Sequence, residues 1–347
     1  MTKTLAPSTE HVAPNPNPLP KTFSPSSLLK FRKCPLEWKN SYLPKLETPG
    51  SVATVKGNLF HGALEDLWTL PPEQRTRTNA HRLIREQWDK MRGTENVMWS
   101  LVADPNWVLS PEEAHDLVSH DNELISGAAN QRLQLMSEGH VPDKKKVTTE
   151  HALLLSAAGL VENYFQLEDP TLGSSIISPP TAESALPAVE LEARASFGGA
   201  TFRGFIDRVE ETRQGGYSFI ITDYKTGKQK FDEKYLADYW WQQATYAVLL
   251  EEMFGVRTSQ LRLVFPSGEG GGRKFPRGRI YVKNFDATQS AFHKAELEAT
   301  HRELLNCWET NTWPLVNPEK ARLCDWCYFK DICPSPGGYK SSLLAPL

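Results

Sequence analysis

Apolar and polar positions alternate with two different periods along this chain, and the change of period divides it. From Ser24 to about residue 167 the apolar residues recur at three- and four-residue spacing, the period of a helix face. Ser24-Pro25-Ser26-Ser27 offers N-cap chemistry before a helix running through Leu28, Leu29, Phe31 and Trp38. Phe60, Leu64, Leu67 and Trp68 predict a second helix over 57–70. Further helical patterns cover 73–92, 110–138 and 148–167, with an irregular Gly/Asn/Pro-containing link between the first two. From residue 188 the period becomes two. Glu190, Glu192 and Arg194 alternate with Leu191, Ala193, Ala195 and Phe197, which predicts a half-buried strand over 188–197. Strands are expected over 202–210 and 217–225, joined as a hairpin across Gly215-Gly216. A helix over 235–254, strands near 259–265 and 278–283, and a long helix over 286–310 complete the pattern.

Composition narrows the possibilities. With 347 residues, 39% hydrophobic and 23% charged, the chain can build a large core. Its net charge of −3 excludes a polybasic nucleic-acid coat, so DNA contact must rest on local patches. No apolar run approaches the ~20 residues that span a bilayer. The first 22 residues hold five prolines and no apolar signal region. No Walker pattern is present, which argues against ATP use. Five cysteines without a secretory context point to a cytoplasmic protein with thiols for metal or cluster chemistry.

The chemistry concentrates in Asp223-Tyr224-Lys225, at the end of the apolar run Phe219-Ile220-Ile221. Period two puts Asp223 and Lys225 on one face. A hairpin turning near residue 214 would bring Asp207, on the preceding strand, close to Ile221. The two carboxylates would then lie roughly 5–8 Å apart on one face. Such a pair repels unless a cation lies between, and a hard divalent cation is the natural occupant. Lys225 could then orient or deprotonate a water and offset charge on a phosphate. A solvated strand end carrying an Asp–Lys ion pair is the plain alternative. His61 and Glu65 stand four apart on one helix, as do Gln242 and Tyr246 on another.

Cys324-x2-Cys327-x5-Cys333 supplies three thiolates, and Cys34 near the start of the fold can supply a fourth. Four thiolates suit either zinc or an iron–sulfur cluster. Cys307 lies beside Leu304, Leu305 and Trp308 and reads as a buried apolar residue. Seven basic residues lie between Arg257 and Lys283, and Arg273, Lys274 and Arg277 belong to a Gly-rich loop suited to phosphates. Trp240-Trp241 could stack on bases, though core packing is the expectation for at least one of them.

In this order, six elements resemble the PD-(D/E)xK nuclease superfamily, and more closely its RecB-like exonuclease branch and the CRISPR-associated iron–sulfur exonucleases. They are Ser24-Pro25-Ser26-Ser27 with Phe31 and Cys34-Pro35-Leu36, Gly57-x3-His61, Gly204-x2-Asp207-Arg208, Asp223-Tyr224-Lys225-Thr226-Gly227, Gln242-x3-Tyr246, and the C-terminal cysteines. The resemblance implies an α/β, restriction-endonuclease-like core: a mixed central sheet flanked by helices, with a helical insertion and a Cys-rich C-terminal cap. Pattern and resemblance together divide the chain into a disordered tail over 1–22, N-terminal helices over 23–72, a helical insertion over 73–167 (of which 75–150 resembles no part of the family), the nuclease core over 168–315, an iron–sulfur segment over 316–337 and a second tail over 338–347. His61, Asp207, Asp223 and the Tyr224 main-chain carbonyl would hold Mg²⁺ or Mn²⁺, the histidine favouring Mn²⁺. Lys225 would assist the attacking water, and Gln242 and Tyr246 would contact DNA or support the site. A further acid is expected on the strand before Asp207, where Glu190 and Glu192 both qualify. Cys34, Cys324, Cys327 and Cys333 would hold a 4Fe–4S cluster, with zinc as the rival. The implied activity is hydrolysis of single-stranded DNA or DNA ends in repair or recombination, and a separate helicase or repair protein is a compatible partner. The alternatives are a non-catalytic DNA-end-binding module of the same fold and an exonuclease of CRISPR adaptation.

Overall fold

The computed structural model describes residues 15–140, 148–227, 236–267, 278–315, 324–325, 327–330 and 332–333. Helices α1 (Pro25–Lys33), α2 (Pro35–Tyr42), α3 (Val52–Thr69), α4 (Arg77–Met91), α5 (Glu95–Ala103), α6 (Pro111–Val118), α7 (Glu123–Ser137) and α8 (Glu150–Leu167) come first. Short strands β1 (Ile176–Ile177) and β2 (Leu186–Pro187) follow, then β3 (Val189–Phe197), β4 (Ala200–Thr212) and β5 (Ser218–Tyr224). Helix α9 (Ala237–Phe254), strands β6 (Thr258–Phe265) and β7 (Arg279–Asn284), and helix α10 (Ala287–Glu309) complete the order.

The main sheet runs β3-β4-β5-β6-β7. Strands β4 and β5 pair antiparallel, β5 and β6 parallel, and β6 and β7 antiparallel. Parallel pairing needs a crossover connection, and α9 provides it. This is the mixed sheet flanked by helices that the resemblance implied.

Several elements depart from the expectations. The first helix does not run through to Trp38. Cys34 is extended (φ −155°, ψ 103°) and Pro35 opens a second helix at its first position, where its missing N–H costs nothing. Helix α3 begins five residues early, because Ser51 accepts a hydrogen bond from the Thr54 N–H and caps it there. The link expected to be irregular holds α5, whose β-branched and aromatic residues weaken local propensity while buried Val97 and Leu101 anchor it. The 110–138 pattern is two helices, each with its own cap at Ser110 and Asn122.

The hairpin register also differs. Arg208 pairs with Thr222 and Val209 with Ile221, so Asp207 is in register with Asp223 and not with Ile221. The turn centres one residue later than expected, on Gly215 and Gly216, both at positive φ. One residue at the turn is two at the partner strand, so the face is preserved.

The described residues form two compact units. One gathers those of 1–47, 194–204 and 288–347. In it Phe23 pairs with Phe202 through Phe23 N–H to the Thr201 carbonyl (2.9 Å) and Arg203 N–H to the Phe23 carbonyl (3.0 Å). His301 of α10 packs edge-on against Phe23. Trp38 is fully buried, donates to Ser27 Oγ at 2.9 Å and stacks on Trp313. From the tail expected over 1–22, residues 1–14 lie outside the described residues, and Asn17 accepts a hydrogen bond from the Trp308 indole.

The other unit gathers the described residues of 48–193 and 205–287. Its core joins Leu59, Phe60, Leu64 and Trp68 of α3 to Leu83 and Trp88 of α4, Leu153 and Tyr164 of α8, and Tyr224 and Val264 of the sheet. Burying one such large apolar side chain contributes roughly 1.5–3 kcal/mol. Helix α3 is thereby held with its apolar face inward, which fixes where His61 points.

Candidate active site

All the residues of the carboxylate–lysine constellation lie in the second unit. Tyr224 turns its ring into the core, edge-on to Phe60 (6.3 Å) and Tyr164 (5.7 Å). The strand period then sends Asp223 and Lys225 the other way. Gly57, one turn before His61, lets α3 come close: a Cβ there would stand 3.1 Å from Thr226 Oγ1, next to Lys225. The glycine of the Gly57-x3-His61 pattern therefore has a spatial reason.

His61 Nδ1 lies 3.5 Å from Asp207 Oδ2, and that oxygen also accepts the Tyr224 N–H at 2.7 Å. Among the described residues, one group of three or more His, Cys, Asp or Glu ligand atoms lies within 4.8 Å of one another: His61, Glu190 and Asp207. This separates Glu190 from Glu192, which the sequence left open. Glu190 also has φ +47°, the left-handed region that costs a non-glycine residue roughly 1–3 kcal/mol and is concentrated at functional sites. The Tyr224 main-chain carbonyl faces the His61 imidazole as a hydrogen-bond acceptor.

Asp223 is 4% exposed and forms an ion pair with Lys225, Oδ2 to Nζ 2.6 Å. Lys225 Nζ also donates to Gln242 Oε1 at 3.2 Å, and Gln242 Nε2 donates to the Tyr246 hydroxyl at 3.2 Å. Gln242 and Tyr246 thus stand as a relay of hydrogen bonds behind the lysine. Tyr239, which the sequence reading passed over, puts its ring 5.0 Å from Lys225 Nζ. Its position one turn before Gln242 was the only available signal.

Electrostatics fit a place for a cation. Burial and the Asp223 charge push the Asp207 carboxyl above the usual carboxylate range. Burial, Asp207 and Glu65 push Glu190 up to about 7. Burial lowers the His61 pKa, so the imidazole is a neutral nitrogen donor at neutral pH. One nitrogen and two carboxylates packed this closely suit a divalent metal better than they suit one another.

Behind Asp207 runs a buried ion network. Arg208 Nη2 meets Glu168 Oε1 at 2.9 Å and Glu210 Oε2 at 3.0 Å, and Arg262 meets the same two oxygens at 2.5 and 2.8 Å. The Arg208 guanidinium lies 4.5 Å from the Trp68 ring, which carries Arg75 at 4.8 Å. Only Arg208 of this set was visible beforehand, as part of a motif.

The cysteines belong to the first unit. Cys34 caps α2, its Sγ accepting the Glu37 N–H at 3.4 Å. Cys34, Cys324, Cys327 and Cys333 line one cavity, walled by Leu36, Leu315 and Phe329. Burial pushes the Cys34 thiol up to about 11 and also raises Cys324 and Cys327. Cys307 is buried, as expected. Trp240 and Trp241 are both buried and so do not serve as exposed stacking platforms. Arg273, Lys274 and Arg277 lie outside the described residues.

A mixed sheet with an acid–acid–lysine hairpin at its strand ends and a histidine from a flanking helix defines a nuclease-like site. The PD-(D/E)XK nuclease superfamily model matches residues 22–334, and the chain belongs to that superfamily. No curated protein matches it. Among solved structures it is similar to a protein from Eubacterium rectale provisionally assigned as an exonuclease, at 10% identity and TM-score 0.45, covering 91% of this chain and 90% of that one. It is also similar to SSO0001, at 17% identity and TM-score 0.31, covering 67% of this chain and 87% of that one. No helix among the described residues is long and apolar enough to cross a membrane.

Proposed function

We propose that the protein is a catalytically active, metal-dependent deoxyribonuclease of RecB-like type, acting on single-stranded DNA or DNA ends in repair or recombination. The observation that carries this is the convergence of His61, Glu190 and Asp207 ligand atoms within 4.8 Å, next to the Asp223–Lys225 pair. His61, Glu190, Asp207 and Asp223 would hold Mg²⁺ or Mn²⁺, with the Tyr224 carbonyl beside them. Such a cation polarises a phosphate and lowers the pKa of bound water. Lys225 is held by Asp223 and Gln242 in one position, from which its ammonium can orient the water and offset charge developing on the phosphate. Tyr246 and Gln242 keep that lysine from swinging away. A binder without catalysis would gain nothing from carboxylates gathered where phosphates must approach. Residues 73–167 are read as a helical insertion into this nuclease.

The four cysteines are proposed to hold a 4Fe–4S cluster. The four thiols line one cavity, and four thiolates, three on a compact C-terminal clamp and one from an N-terminal cysteine, suit such a cluster, with zinc as the rival.

The test is anaerobic purification followed by digestion of end-labelled single- and double-stranded DNA with Mn²⁺, Mg²⁺ or EDTA. Metal-dependent loss of label, abolished by Asp207→Asn and by Asp223→Ala, is expected. Tight DNA binding without cleavage in any metal would establish the non-catalytic alternative. Absorbance at about 400 nm with stoichiometric iron and sulfide is expected for the cluster; zinc in their place would refute it.

A further inference from the structure

Three of the side chains assigned to the cation come from three elements: His61 from α3, Asp207 from β4 and Asp223 from β5. In each case the residue next to it in sequence is buried in the core. All three of these neighbours meet the end of one helix, α8. Phe60, before His61, lies edge-on to Tyr164 of α8, with 6.4 Å between ring centroids. Tyr224, after Asp223, lies edge-on to the same Tyr164 at 5.7 Å. Arg208, after Asp207, forms its ion pair with Glu168 at 2.9 Å. Glu168 caps α8, its N–H donating to the Tyr164 carbonyl at 3.0 Å. Both grips therefore come from a single turn of chain.

We infer that Tyr164 and Glu168 are positioning residues of the metal site, which fix His61, Asp207 and Asp223 relative to one another through their sequence neighbours. This rests on the nuclease reading of the same site. Consecutive strand residues point to opposite faces, so a side chain held behind the sheet settles the direction of its neighbour in front. Tyr224 transmits the hold most directly. Its N–H donates to Asp207 Oδ2 at 2.7 Å, and its carbonyl faces the His61 imidazole. A displaced Tyr224 therefore shifts two candidate ligands besides its own neighbour Asp223. On β4 the Arg208 guanidinium is pinned between Glu168 and the Trp68 ring, 4.5 Å away. Close-packed rings and a buried ion pair have few alternative arrangements, so the hold is stiff. Stiffness is what a constellation that must stay within about 0.5 Å of its working geometry requires of its support.

The experiment measures Mn²⁺ affinity of the full chain without DNA, from the electron paramagnetic resonance signal of the free ion. KM and kcat on an end-labelled single strand are measured beside it. The variants are Tyr164→Leu, Tyr164→Phe, Glu168→Ala and Leu153→Ala. Leu153 is buried in the same core on the same helix but far from the last turn, and serves as the packing control. All measurements are made well below each melting midpoint, with folding checked by circular dichroism. Tyr164→Leu and Glu168→Ala should weaken Mn²⁺ binding roughly ten- to hundred-fold and lower kcat by a like factor, with KM for DNA little changed. Tyr164→Phe keeps the ring edge against Phe60 and Tyr224 and should restore most of the affinity. Leu153→Ala should lower the midpoint and leave Mn²⁺ affinity unchanged. If Tyr164→Leu moves that affinity no more than Leu153→Ala does, or if Tyr164→Phe falls as far as Tyr164→Leu, the positioning role is overturned while the nuclease reading stands. If wild type neither binds Mn²⁺ nor cleaves DNA, both fall.

Discussion

Replacing Arg208 by methionine removes one charge from a four-membered network and keeps most of the side-chain volume. Arg208 is 3% exposed at its side chain, Glu168 8%, Arg262 18% and Glu210 27%. With two arginines and two glutamates the set is neutral; with one arginine it carries a net negative charge in a place water hardly reaches. Breaking one arm of a buried pair typically costs about 3–5 kcal/mol, because the surviving charge stays desolvated. Arg262 still holds both glutamates, and Glu210 is partly wet, so the lower end of that range is expected here. The Trp68 ring also loses one of its two guanidinium faces. The assay is equilibrium urea unfolding of wild type, Arg208→Met, Glu168→Gln and the double variant. The double variant restores neutrality and should recover a large share of the loss, giving a coupling of more than about 1 kcal/mol. If Arg208→Met costs under about 1 kcal/mol, or the double variant is as unstable as the sum of the singles, the network does not act as a charge-balanced unit.

Because Glu190 sits at about 7, a cation must displace its proton at neutral pH. Mn²⁺ affinity should therefore rise about tenfold between pH 6 and pH 8 from this group alone, with proton release visible in the buffer dependence of the calorimetric enthalpy. Glu190→Gln should bind more weakly and lose that share of the slope. Cys327→Ala should abolish iron binding and lower the thermal midpoint. Cys307→Ala, buried outside the thiol-lined cavity, should keep the full iron content and cost about 1 kcal/mol by circular dichroism melting. Gly198 has φ +55°, and a Cβ there would stand 2.5 Å from Glu298 Cγ, whereas Gly199 has φ +75° and open space. Gly198→Ala should thus destabilise more than Gly199→Ala, which should lose only about 1–2 kcal/mol of backbone preference in a melt.

What could be read beforehand was what repeats or what sits on one element. Period two put Asp223 with Lys225 and Glu190 with Glu192; period 3.6 oriented His61 and aligned Gln242 with Tyr246. Those relations are local, and they survived even where the turn was misjudged by one residue. Selection among equivalents was not local. Nothing in Val189-Glu190-Leu191-Glu192 says which acid meets His61; that depends on where the β3–β4 hairpin stops and on a left-handed backbone at Glu190. Tyr239 and the Glu168–Arg262 arm of the ion network were invisible for the same reason, since their partners are tens of residues away. The split at Cys34 was a local signal that was available: a proline immediately after a polar, cap-competent residue.

The arrangement of the two units along the chain has a consequence for biogenesis. Every ligand atom of the carboxylate site is translated by residue 225, and its supporting helix by residue 254, within one contiguous run broken only by the tip of a hairpin. The thiol-lined cavity instead needs Cys34 and Cys333, almost three hundred residues apart. During synthesis at ~5–20 residues per second, the carboxylate site can form while the first cysteine still waits for its partners. Closure of the thiol-lined cavity is thereby a late event, after the residues of the carboxylate site have all been made.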